Sequence, residues 1–351
     1  MEKRQEKEFL GQGYEVVVRP GTNWGKGTLF FADGQIIPDY PRMPRVLHLA
    51  QGITRHYEEA FWVEEKVDGY NVRVFWRNEQ LWAVTRSGNV CPFTLDKLNR
   101  IPGVTALLKA QPHWILCGEM GGFGNPYNYS FYNRSQKKTF FYLFDIMNEN
   151  KSPQFLSPPL RYGLQEKYGL ESSVSFGRFF PGELGVLGEL ARYADRQGME
   201  GLIFKPENPG EPVLKYVTFQ SVINDIEAMN PLLYEEQPEF LLNRLKRGTY
   251  FLYEHGQNHS LDHWYDFAQG INKIAETNGE GRAYQEVDTY FYDPLMAQLF
   301  LELLKDMQIP IYDIRKKAQA KNEIIYIKFK KELMRSSDII KHDWAGNHRI
   351  D

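Results

Sequence analysis

The chain has 351 residues, 42% hydrophobic and 25% charged, a length and balance suited to two or three folded domains with at least one sizeable core. A formal net charge of -3 excludes a surface coated throughout in phosphate-binding charge, so any nucleic-acid surface must be local. Two cysteines, Cys91 and Cys117, form no CxxC or Cys/His cluster, which argues against structural zinc and fits a reducing compartment.

Met1–Glu8 is charged and lacks the apolar stretch of a signal peptide, and no run approaches the roughly 18 apolar residues of a membrane span. A cytoplasmic location is expected. Two strands follow, at Tyr14–Val18 and Thr28–Phe31, divided by the glycine-rich stretch Gly21–Gly27. Pro38, Pro41 and Pro44 then break regular structure. Residues 1–60 read as a small β-containing module.

Residues 61–217 read as strand-rich. Short β-prone runs occur at Phe61–Val63, Val72–Trp76, Leu81–Val84, Trp114–Leu116, Phe140–Phe144, Leu202–Phe204 and Val213–Val217. Helices are expected at 94–110 and 185–197. Strands and helices do not alternate regularly, so packed, mainly antiparallel sheets are expected in place of a doubly wound parallel sheet. Beyond 217 the character changes. Pro231–Arg247, Asp262–Thr277, Pro294–Met307 and Asp313–Arg335 have helical length and spacing, and Leu295, Leu299, Leu303 and Met307 recur every four residues. The expected class is α+β, with a mostly α-helical region after 217.

The chemistry-bearing residues fall in one order. Glu64-Glu65-Lys66-Val67-Asp68-Gly69-Tyr70-Asn71 comes first, then Thr85-Arg86-Ser87-Gly88, Gly118-Glu119, Phe141-Tyr142-Leu143-Phe144-Asp145, Glu200-Gly201 with Lys205, and Lys215. A lysine is a nucleophile only when deprotonated, and nearby cations and desolvation both favour that. Lys205, Lys215 and Arg86 could supply those cations if the strands converge. Gly69 would allow close backbone approach. Glu119 and Glu200 could hold a ribose hydroxyl and a divalent metal. Phe144 offers a π-face to a purine.

This ordered set resembles the covalent nucleotidyltransferases: ATP-dependent DNA ligases, RNA ligases and mRNA capping enzymes. Lys66-Val67-Asp68-Gly69 looks like the nucleophile motif, whose lysine forms a phosphoramidate with the nucleotide. The resemblance implies that Glu119 binds the ribose, Phe144 stacks on the base, Glu200 serves the metal and Lys215 contacts the α-phosphate. Asn71 stands where DNA ligases and capping enzymes usually carry Arg, and Asn is the RNA-ligase habit. Glu64–Arg73, with Tyr40-Pro41-Arg42-Met43-Pro44-Arg45, is most similar to the archaeal-type homodimeric RNA ligases.

The resemblance implies a nucleotidyltransferase domain of the ATP-grasp-like ligase type at 61–217, a helical dimerisation module at 218–290 and a helical C-terminal domain at 291–351. It implies Lys66, Lys215 and Lys205 as catalytic residues. It implies ATP binding by Glu65, Lys66, Asn71, Arg86, Glu119, Phe144, Lys205 and Lys215, and a metal, Mg²⁺ or Mn²⁺, at Glu200. The expected reaction joins 5′-phosphate and 3′-hydroxyl ends of RNA, with single-stranded DNA as a second substrate class, in a homodimer. The alternatives are an ATP-dependent DNA ligase and a catalytically silent nucleic-acid-binding homologue. One departure is that many relatives end the last motif with Lys-x-Lys, whereas Lys215-Tyr216-Val217 has a single lysine.

Three further signals are weaker. Arg315–Lys341 holds nine Lys or Arg and three acids, which fits either a solvated face or a patch for RNA phosphates. His255, His259 and His263 recur every four residues, but Gly256 interrupts a helix there. Lys26 lies between two glycines, yet the Walker spacing of a phosphate loop is absent.

Overall fold

In a computed structural model of the chain, the residues described are 2–127, 136–149, 154–228, 239–256, 283–319 and 324–345, with a few single positions between 265 and 276. The N-terminal module is a four-stranded antiparallel sheet of β1 (Lys3–Phe9), β2 (Gln12–Arg19), β3 (Leu29–Phe30) and β4 (Ile36–Ile37). Strand β1 has no apolar alternation to reveal it. It is an edge strand whose exposed charges suit an edge, and Arg4 pairs with Glu15 of β2 at 3.1 Å.

Two further antiparallel sheets carry the site. One has the order β7 (Gln80–Thr85), β6 (Tyr70–Arg77), β8 (Trp114–Gly122), β9 (Thr139–Asn148). The other has the order β10 (Ser175–Phe179), β5 (Phe61–Lys66), β11 (Gly201–Pro206), β12 (Leu214–Val217). Every β-prone run expected in 61–217 falls on one of these strands, with only Val213 lying just before β12. A short helix α1 (Leu49–His56) precedes β5. The helix expected over 94–110 is broken into α2 (Pro92–Leu98) and α3 (Pro102–Ala110), because Pro102 cannot continue a helix but suits a first turn. Helices α4 (Pro158–Tyr168) and α5 (Leu184–Arg196) complete this part, the latter where it was expected.

The first two sheets share one core. Trp82 of β7 is fully buried, with Phe9, Tyr14, Phe31 and Phe75 packed around it at ring separations of 5.3–5.9 Å. A second core fills the space between the β5 sheet and α1, α5 and the helices after β12. Those helices are α6 (Phe219–Ala228) and α7 (Glu239–His255).

The C-terminal part departs from the expected helical character. Strands β13 (Tyr284–Phe291), β14 (Ile311–Gln319) and β15 (Ile324–Glu332) form an antiparallel sheet in the order β13-β15-β14, flanked by α8 (Pro294–Asp306) and α9 (Met334–Trp344). Asp313–Arg335, read from sequence as helical, is therefore mainly two strands. The deciding pattern is the alternation of buried Ile327 and Phe329 with outward Lys328 and Lys330, a period of two. Pro294–Met307 is helical as expected. Pro231–Arg247 is seen only from Glu239, in α7, and most of Asp262–Thr277 lies outside the described residues, as do His259 and His263.

This C-terminal sheet docks on α2 through a buried pair. Asp96 bonds Lys97 at 2.8 Å and accepts the amides of Tyr292 and Asp293 at 2.9 and 2.8 Å. Lys97 donates to the Tyr290 carbonyl at 2.5 Å and lies 3.6 Å from the Tyr290 ring centroid.

Candidate active site

Lys66 is the last residue of β5, where the chain leaves one sheet and crosses through Val67-Asp68-Gly69 into β6 of the other. The crossing is tight. A Cβ on Gly69 would lie 2.7 Å from the Met120 carbonyl and 2.9 Å from the Glu119 side chain, so only glycine fits. Register then brings the scattered motifs together. Asn71 stands opposite Glu119 on β8, Gly201 opposite Lys66, and Ile203 opposite both Glu64 and Lys215.

Between the sheets lies a cavity of about 880 Å³, within the usual range for ligand sites. Eight expected ATP-binding residues, Glu65, Lys66, Asn71, Arg86, Glu119, Phe144, Lys205 and Lys215, all line it. Glu200, expected at the metal, is ion-paired to the Lys66 ammonium.

The electrostatics around Lys66 differ from the sequence expectation. Burial pulls its amine down, but Glu200, Glu119 and Asp68 outweigh burial and hold the pKa above the ordinary lysine value. The carboxylates show the reciprocal strain. Burial pushes Glu119 up to about 8 and Glu200 up to about 7, and Lys66 only partly offsets this. Lys215 shifts the other way: burial, then Arg45, Lys66 and Arg86, lower it to about 8.

Lys205 is placed differently from the other two expected catalytic lysines. Its amine is buried in a polar network, bonded to the Phe144 carbonyl, to Asp145 at 2.9 Å and to Glu64 at 3.1 Å. Glu64 also pairs with buried Arg161 and accepts from the Tyr162 hydroxyl at 2.8 Å. The Phe144 ring meets Tyr40 edge-on at 5.4 Å, and the Tyr40 hydroxyl donates to Asp145 at 2.7 Å. Lys205 thus fixes the strand that presents Phe144.

Several further polar groups line the cavity or remained hidden in the sequence. The Asn71 side-chain oxygen is buried and accepts no hydrogen bond among the described residues, an acceptor suited to a donor group. Arg45 joins Lys215 through a backbone bridge, with the Val46 amide donating to the Lys215 carbonyl and the Lys215 amide to Pro44, both at 3.0 Å. Its proximity could be suspected from the Tyr40–Arg45 motif, but nothing in spacing paired it with Lys215. Leu303 of α8 and Met307, just past its end, also line the cavity, a contribution from well beyond the last motif that no local pattern signals.

An "RNA ligase" family model matches residues 59–217, and a "Ligase Pab1020 C-terminal region" model matches 229–347. An uncharacterized protein of Methanocaldococcus jannaschii is 27% identical over 302 residues, 82% of this chain and 75% of that one. A solved structure from Aquifex aeolicus, provisionally assigned as an ATP-dependent DNA ligase, is 27% identical with a TM-score of 0.88, covering 99% of this chain and 96% of that one. An archaeal ATP-dependent RNA ligase, described as form 1, is 23% identical with a TM-score of 0.85, covering 99% and 93%, which shows the shared fold. With the two models matched in tandem, the chain carries an RNA ligase domain over 59–217 followed by a Pab1020-type ligase C-terminal region over 229–347.

Proposed function

We propose that this chain is an ATP-dependent RNA ligase that works through an AMP covalently held on Lys66. The observation that carries the reading is the convergence of Lys66, Glu119, Phe144 and Lys215 on one cavity, with Glu200 bonded to the lysine. The Lys66 amine forms a P–N bond to the α-phosphorus of ATP, and pyrophosphate leaves. An oxygen of an RNA 5′-phosphate then attacks the same phosphorus, the P–N bond breaks and Lys66 regains a proton. Finally a 3′-hydroxyl attacks the activated 5′-phosphate, and AMP departs. The residues position groups and offset charge on in-line transfer. Phe144 receives the base, Glu119 the ribose, and Lys215 the α-phosphate.

The donor set fits a divalent cation. Glu119 and Glu200 are half-buried carboxylates with raised pKa values that share one ammonium, an arrangement that attracts further positive charge. Mg²⁺ or Mn²⁺ held by Glu200 would supply charge that releases the hold on Lys66 and favours its neutral form.

Further features of the reading concern assembly and place. Leu242, Leu245 and Tyr253 lie on one face of α7 and are 64%, 42% and 81% exposed, an apolar stripe of the kind found at interfaces. It supports a homodimer, expected to scatter light as a particle of about twice the 41.1 kDa chain mass. No helix among the described residues is long and apolar enough to cross a membrane, and we assign the enzyme to the cytoplasm. The division at 60, 217 and 290 serves as the functional one: entry module, adenylation domain, dimerisation module and C-terminal domain.

The test is sealing of labelled strands with ATP and Mg²⁺. Joining of 5′-phosphorylated single-stranded RNA, with none for a 5′-hydroxyl end, is expected. Efficient sealing of nicked duplex DNA with no action on RNA would return the reading to a DNA ligase.

A further inference from the structure

We infer that Lys26, on the N-terminal module, works with Arg86 to seat the β- and γ-phosphates of ATP and the pyrophosphate that leaves. This rests on the ligase reading and adds a residue from outside the adenylation domain. Gly25-Lys26-Gly27-Thr28 is a β-turn in which the Thr28 amide donates to the Gly25 carbonyl at 3.3 Å. Gly27 sits at its third position with φ +96°, the left-handed value a type II turn requires there. The turn is pinned from both sides. Asp39 accepts from the Gly25 amide at 3.0 Å and from the Thr28 hydroxyl at 3.1 Å. Buried Arg73 donates to the Gly27 carbonyl at 2.7 Å, to Thr85 at 3.3 Å and to Pro38.

The Arg86 loop is pressed against this turn. A Cβ on Gly27 would collide with the Arg86 carbonyl, and a Cβ on Gly88 would collide with Val16. Two glycines and one buried guanidinium therefore weld the turn and the loop into a single rim. Lys26 and Arg86 both line the cavity from that rim, and Lys26 makes no ion pair among the described residues. Lys66, Lys215, Arg86 and Lys26 all line the one cavity, and the contact of Gly27 with the Arg86 carbonyl sets Lys26 on the same rim as Arg86. An in-line displacement sends its leaving group away from the attacking amine. With the α-phosphate at Lys215, the β- and γ-phosphates extend toward Arg86 and Lys26. Lys26 has no need of the Walker spacing, because the charge comes from a turn on a neighbouring module in place of a strand-to-helix loop.

The test reads pyrophosphate directly. Enzyme carrying labelled AMP is stripped with increasing pyrophosphate, and labelling is measured against ATP concentration. Lys26→Ala is expected to need roughly tenfold more of each for half-effect, as loss of one charge-assisted phosphate contact predicts, and Lys26→Arg to recover most of it. Sealing of a pre-adenylated RNA, which uses neither ATP nor pyrophosphate, should stay within twofold of wild type in Lys26→Ala. Unchanged pyrophosphate and ATP dependence would overturn the inference, as would a loss confined to pre-adenylated sealing, which would transfer Lys26 to the strand. A wild-type protein that takes no label from ATP would defeat the ligase reading itself, and this inference with it, before any variant is compared.

Discussion

Lys66 shows how one residue can hold opposing demands. On the proposed mechanism it must be neutral to attack, yet Glu200 and Glu119 hold it as an ammonium, above its ordinary pKa. In that mechanism a metal at Glu200 competes with protons for these carboxylates, and burial pushes Glu200 up to about 7 and Glu119 up to about 8. Below pH 7 both are largely protonated and cannot hold a cation, so self-adenylation should rise with pH through 7 to 8. Raising Mg²⁺ should move that acid limb to lower pH, because the metal displaces the protons. A pH profile indifferent to Mg²⁺ concentration would refute this coupling. Lys205 and Lys215 separate in a different way. Lys205→Met removes the buried partner of Glu64 and Asp145, which should lower stability by about 3–5 kcal/mol and raise the ATP requirement by disturbing Phe144. Lys215→Met should leave urea unfolding nearly unchanged and slow adenylation at saturating ATP. Equal effects on both readouts would erase the distinction between a positioning lysine and a phosphate ligand.

At the scale of elements, the crossing from β5 to β6 is the part of the site with least tolerance. Gly69→Ala places a methyl group against the Met120 carbonyl and the Glu119 side chain, so the strands must part or Glu119 must move. Self-adenylation should fall at least roughly tenfold, with a stability loss of about 1–3 kcal/mol, measured by labelling and denaturant unfolding. A variant with full activity would show that the crossing has slack. The same strands explain what the sequence could and could not disclose. The runs from Phe61 to Val217 are short, apolar and bounded by turns, and the expected site residues lie on them or just beside them, so their order along the chain picked out residues that line one cavity. Strand β1 was hidden because an exposed edge strand needs no apolar face. β14 and β15 were hidden because runs of Lys and Ile fit a helix face as well as a strand until the period of two at Ile327 and Phe329 is weighed. The Lys205 network was out of reach, since its members Tyr40, Glu64, Asp145 and Arg161 meet only through tertiary packing.

Across the whole molecule, the cavity is assembled from three regions: Lys26 precedes the adenylation domain, Lys66 lies within it, and Leu303 and Met307 follow it. The C-terminal sheet is held in place by Asp96 and Lys97 beneath Tyr290 and Tyr292. Its basic run lies on the edge strand β14, where Arg315, Lys316 and Lys317 are exposed, whereas Lys328 of β15 is shared between Glu286 and Asp288 at 3.2 and 3.4 Å. Neutralising Arg315, Lys316 and Lys317 together should leave self-adenylation intact, weaken RNA binding and flatten its salt dependence, because fewer counterions are released. Titrations at two salt concentrations decide this. An unchanged affinity and slope would make the charges edge protection alone. The central claim, that this fold exists to carry AMP on Lys66, is tested most directly by intact-mass spectrometry after incubation with ATP and Mg²⁺. The account predicts a mass gain of one adenylyl group, mapped to the peptide containing Lys66, labile to acid and absent from Lys66→Ala. An adenylyl group retained by Lys66→Ala, or mapped to any other lysine, would contradict it.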